Sequence, residues 1–228
     1  MKLSISMTRK EILFGWVYLL LSMFLLPSLI VLGNTRLSDP FSETELNIFY
    51  FFFNFLCVVL IFHRFLGKSF KTALQSIWRC LRFAALGFIL YYAAALLVSN
   101  FIFWLDPDFA NVNDSAISEL SKEHYTLLSF CTVFLVPVTE ETFYRGLLFQ
   151  PLQAKSRVLA YLVSALVFAA IHITGYIGLY DFTTLLLCYI QYLPAGIALC
   201  FAYEKADTIV APILMHIAIN QIGMSAMR

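Results

Sequence analysis

Three short stretches hold the ionisable and imidazole groups that fall inside long apolar runs. They are Thr139-Glu140-Glu141-Thr142-Phe143-Tyr144-Arg145, Phe168-Ala-Ala-Ile-His172 and His216-Ile-Ala-Ile-Asn220. Glu141 and Arg145 are four residues apart, so on a helix they share a face and can form a salt bridge. Glu140 points about 100° away around the same helix and is free for another task. Adjacent carboxylates in different surroundings do different work: one is held ionised by the arginine and the other is open to act as a base. His172 is a single imidazole in an uncharged stretch, and His216 and Asn220 stack on one helix face. A lone buried histidine is usually a satisfied structural residue. Two of them beside a diglutamate, all within apolar runs, point instead to one shared site for proton transfer. The bland alternative for the first stretch is a solvated cytoplasmic helix end, and the apolar Gly146-Leu-Leu-Phe149 that follows Arg145 weighs against it.

The elements that position these groups are legible in the composition. The chain has 228 residues, 61% hydrophobic and 13% charged. Soluble domains are nearer 45–50% apolar and about 25% charged. Too much apolar surface would face water, so lipid is the expected solvent. A net charge of +1 offers no basic field for nucleic acid. The five cysteines (Cys57, Cys80, Cys131, Cys188, Cys200) are scattered without metal-ligand spacing and are expected to be small buried hydrophobes. The N-terminal apolar run is too long for a signal-peptide core and is expected to be an uncleaved helix.

A spanning helix needs about 20 mainly apolar residues. Seven are expected, over residues 12–32, 46–62, 83–105, 125–149, 158–179, 182–203 and 208–227, giving an all-α polytopic transmembrane bundle. The connector between the fifth and sixth shrinks to Tyr180 and Asp181. An amphipathic segment near 69–82 is a candidate interfacial helix, with the basic start of helix three as the equal alternative. Lys2, Arg9 and Lys10 precede helix one, Arg64, Lys68, Lys71, Arg79 and Arg82 follow helix two, and Lys155 and Arg157 follow helix four. The opposite connectors are mainly acidic, which places the N-terminus in the cytoplasm. Against that bilayer, the charges of Glu140, Glu141 and Arg145 would cost about 2.5–3.5 kcal/mol each at mid-depth, roughly 8–10 together before pairing. Groups that expensive persist when they pair or work.

Glu140-Glu141-x-x-x-Arg145, Phe168-x-x-x-His172 and His216-x-x-x-Asn220 resemble the three ordered motifs of the CAAX-protease and bacteriocin-processing (CPBP, or Abi) intramembrane proteases. Tyr192-Leu-Pro-Ala-Gly196 and the run from Thr208 to His216 also look like that family's last two core helices. The resemblance implies a catalytic core over 125–228 and a variable N-terminal part over 1–124. It further implies that Glu140 and His172 activate a water, that His216 and Asn220 stabilise the oxyanion or share a metal, and that Glu141, Arg145 and Phe168 support them from behind. A divalent ion such as zinc on Glu140, His172 and His216 and a metal-free water both use these residues. The expected substrate is a membrane peptide or protein, in a bacterial plasma membrane. The alternative from another class is a non-proteolytic partner on the same fold, such as a bacteriocin-immunity or sensor-modulating protein. A transporter is disfavoured, because no inverted repeat is evident.

Overall fold

Apolar runs of this length leave the backbone one way to satisfy its amides in hydrocarbon, the helix. The computed structural model describes residues 3–228, and Lys2 lies outside them. It is a helical bundle without a β-strand among the described residues. In chain order the helices are α1 (Arg9–Asn34), α2 (Glu43–Ile61), α3 (His63–Gln75), α4 (Ile77–Leu105), α5 (Val112–Gln153), α6 (Arg157–Thr174), α7 (Phe182–Ala206) and α8 (Val210–Ala226). All but α3 and α8 are long and apolar enough to cross a membrane. The 17 residues of α8 rise about 26 Å, a little less than the ~30 Å hydrocarbon core.

Helix starts follow local chemistry. Thr8 with Glu11, and Ser42 with Glu45, form capping boxes at α1 and α2, and the Asp181 side chain accepts from Thr184 N to open α7. Three elements depart from the sequence expectations. The interfacial candidate splits at Ser76: α3 is a separate amphipathic helix over 63–75, and Ile77 onward already belongs to α4. The acidic connector before the fourth span is itself helical and runs into that span through a kink at His124 (φ −132°, ψ 57°). Its Asn111 reaches Gln191 on α7, while Ser42 and Thr44 of the α2 start reach Glu123 and Leu120, so the Val112–Glu123 segment lies across the acidic end of the bundle. Finally α6 stops at Thr174, not near 179, and a loop through Gly178 (φ +88°) replaces the two-residue connector. Glycine is the residue that takes that conformation without strain.

The core centres on α7, which packs along α4 and α6 through small residues. At Gly196 a Cβ would sit 2.8 Å from Ala165 Cα, so this crossing admits no side chain. The basic end is tied together by backbone partners: Glu11 accepts from Phe65 N (2.8 Å), Arg79 donates to Lys205 O (2.9 Å), Thr208 to Ser69 O (2.8 Å) and Ser4 N to Asp207 (2.8 Å). Arg157 completes it with an ion pair to Glu204 at 2.8 Å.

Candidate active site

Both glutamates sit on α5 where its winding changes. A π turn spans Cys131–Leu135, an α segment spans Val136–Glu141, and a second π turn spans Thr142–Phe149. π turns widen the helix and rotate the residues after them, and they recur at functional sites. Glu141 turns inward and is fully buried, as is Arg145. Arg145 donates to Glu141 Oε1 (3.2 Å) and to Gly196 O (3.2 Å), and its guanidinium lies 4.6 Å from the centre of the Phe168 ring. The same Glu141 oxygen accepts from His216 Nδ1 at 2.8 Å. A carboxylate only accepts, so Nδ1 of His216 carries hydrogen and Nε2 faces the opposite way.

Glu140 faces a cavity of about 380 Å³ shared with His172, His216 and Asn220. Its Oε2 lies 4.0 Å from His216 Nε2, a gap without a direct hydrogen bond, and that oxygen is buried with no partner. His172 is fixed on three sides. Its Nδ1 donates to Phe168 O (2.7 Å), its ring stacks on Tyr192 with centroids 4.1 Å apart, and the Phe168 ring flanks it at 4.6 Å. Because a carbonyl cannot donate, Nε2 of His172 is left as the free lone pair. Asn220 Nδ2 donates to Thr132 O (2.9 Å), leaving its second N–H unused.

Every residue singled out by sequence lies in or directly behind this one cavity. Glu140, Phe168, His172, His216 and Asn220 line it. Glu141 and Arg145 stand behind His216 and Phe168. Sequence reasoning named Phe168 but missed the groups that brace His172 through Tyr192. The hydroxyl of Tyr192 accepts from Asn113 Nδ2 (3.0 Å) and donates to Asp114 (3.1 Å), so the start of α5 braces the stacked ring. Tyr192 lies in the Tyr192-Leu-Pro-Ala-Gly196 stretch, but nothing in the spacing pairs it with residues 78 and 79 positions away.

Among the described residues no three His, Cys, Asp or Glu side chains converge on a position that could hold an ion. His216 Nδ1 is committed to Glu141 and His172 Nδ1 to Phe168 O, so Nε2 is the ring nitrogen that each has left for the cavity. As arranged, Glu140, His172 and His216 do not gather into a three-donor cation site.

Fold and site together define a polytopic membrane protein with a glutamate–histidine centre between its helices. Residues 122–222 match the family model described as type II CAAX prenyl endopeptidase Rce1-like, and the match takes in all seven site residues. Over that segment the chain is similar to the CAAX-protease family. No curated protein and no solved structure gives a significant match.

Proposed function

We propose that this protein is an intramembrane endopeptidase that hydrolyses a peptide bond of a membrane-associated or membrane-spanning peptide, using a water activated between Glu140 and His172. The observation that carries the reading is the free Nε2 of His172 in one cavity with an unpartnered Glu140 oxygen and two further hydrogen-bonding groups. Glu140 takes one proton from the water while His172 Nε2 accepts a hydrogen bond from the O–H that remains, and the oxygen attacks the scissile carbonyl carbon. Asn220 supplies its unused N–H to the developing oxyanion, and His216, held through Nδ1 by Glu141, turns its Nε2 edge to the same side. The proton held by Glu140 then passes to the leaving amine as the C–N bond breaks. The apolar wall of the cavity, with Phe51, Tyr91, Tyr92 and Ile219, suits a substrate presented from lipid.

The test is peptide profiling of deletion cells complemented with wild type or Glu140→Gln at matched levels. Loss of a positioned general base costs ~10²–10⁴-fold in rate, so a peptide produced by wild type should vanish with the variant. Equal complementation with no differing peptide would make the protein a membrane scaffold that retains protease motifs. Cleavage should also survive 1,10-phenanthroline, and inhibition reversed by added zinc would place an ion on Glu140, His172 and His216 instead.

A further inference from the structure

Hydrolysis consumes one water per bond, and a peptide lying in the main cavity blocks that route to Glu140. A second cavity, of about 150 Å³, touches Glu140 from another side, between α1, α2 and α5. The two cavities share Phe51, Val136 and Glu140 as a common wall. The smaller one carries polar groups where lipid-depth helices are normally apolar: Ser22, Tyr50, Asn54, Thr139 and Tyr144 share its lining with Leu19, Met23, Phe143 and Ile171. Tyr18 donates to Asn54 Oδ1 (2.7 Å) and Tyr50 to Ser22 O (3.0 Å), so these groups are held in place and present further lone pairs and N–H groups. Ser22 and Asn54 are buried near the middle of α1 and α2, a depth at which polar side chains are costly and usually functional.

We propose that this smaller cavity is a water chamber that supplies Glu140 while the peptide occupies the larger one. At ~30 Å³ per water the volume admits up to about five molecules, and the Glu140 carboxylate, the Asn54 amide and the hydroxyl lone pairs offer them polar partners. α1 and α2, which carry none of the motif residues, thereby acquire a part in the reaction: they hold the hydrolytic water and keep hydrocarbon from it. For its kinetics the inference rests on the peptidase reading; for the presence of water it does not.

Two measurements test it. Hydroxyl radicals generated by X-ray pulses from ordered water mark adjacent side chains. In the full-length protein in lipid nanodiscs, Tyr50 and Met23 should be labelled in wild type and in Glu140→Gln, and should lose most of that label in Asn54→Leu. Unlabelled Tyr50 and Met23 in wild type would overturn the chamber whether or not the protein cleaves peptides. With the peptide found by profiling, Asn54→Leu should lower kcat about tenfold and leave KM within about twofold, the split expected when substrate binding is untouched. Asn54→Ser, which keeps space and polarity, should restore most of the rate and controls for misfolding. A raised KM with unchanged kcat would make the cavity a substrate side-chain subsite and overturn the proposal.

Discussion

Glu140 and Glu141 are neighbours in sequence but differ in everything that sets the cost of losing their charge. Glu141 is fully buried and holds both Arg145 and His216, so its carboxylate is the counter-charge of the centre. Removing one partner of a buried ion pair strands the other and costs about 3–5 kcal/mol. Glu141→Gln should therefore lower the unfolding temperature in detergent and the yield of folded protein, along with any activity. Glu140 is 20% exposed in its cavity and its Oε2 has no partner. Glu140→Gln should accordingly unfold at the wild-type temperature or slightly above while abolishing cleavage. Equal destabilisation by both variants would show that Glu140, too, is a structural anion. The i, i+4 spacing made Glu141–Arg145 legible in sequence. The Glu141–His216 bond joins positions 75 apart, and local periodicity cannot specify it.

At the scale of elements, the positions of the spans were readable because each is a long apolar run, and the misreadings fall where polarity and helicity part company. Val112–Glu123 is polar and acidic, which in hydropathy terms looks like a loop, yet the Asn111 cap and contacts to α2 and α7 make it a helix. The π turns were not legible either, although prolines mark them. Those at Leu21–Leu25, Cys131–Leu135 and Thr142–Phe149 each end two residues before Pro27, Pro137 or Pro151. A wider turn relieves the clash of a proline ring with the preceding turn. In the first two, the residue before the proline donates to the carbonyl five back, Leu26 to Leu21 and Val136 to Cys131. The next carbonyls, Ser22 O and Thr132 O, would be matched to Pro27 and Pro137, which have no N–H. Tyr50 donates to the first and Asn220 to the second. Pro137 thus anchors a site residue on another helix by leaving a carbonyl free. Pro137→Ala restores a local donor, so Asn220 should lose its anchor. The expected outcome is a drop in kcat of about tenfold with unchanged or higher thermal stability, the trade seen when a strained site is relaxed. Activity and unfolding temperature measured on the same preparation decide it; a stability loss at full activity would sink the anchoring role.

Across the whole molecule, charge and site are arranged along one axis. The N-terminal segment, α3, the start of α4 and the α7–α8 turn meet at one end through the bonds to Phe65 N, Ser69 O, Lys205 O and Asp207, and the start of α6 joins them through Arg157 and Glu204. That end carries Arg64, Lys68, Lys71, Lys155 and Arg157. The other end carries Asp39, Glu43, Asp106, Asp108 and Asp114, and the main cavity extends toward it past Asn111, Asp114 and Met227. Basic connectors stay in the cytoplasm during insertion, so the cavity mouth is expected on the opposite face and its peptides to arrive from there or laterally from lipid. Asp108 and Lys68 are both exposed and mark the two ends. Four of the five native cysteines are buried and Cys57 is half-buried, which keeps the labelling background low. In intact cells a membrane-impermeant maleimide should label Asp108→Cys and leave Lys68→Cys untouched until the membrane is permeabilised. The reverse pattern would turn the cavity toward the cytoplasm, and the search for its substrate would move to peptides made and retained inside the cell.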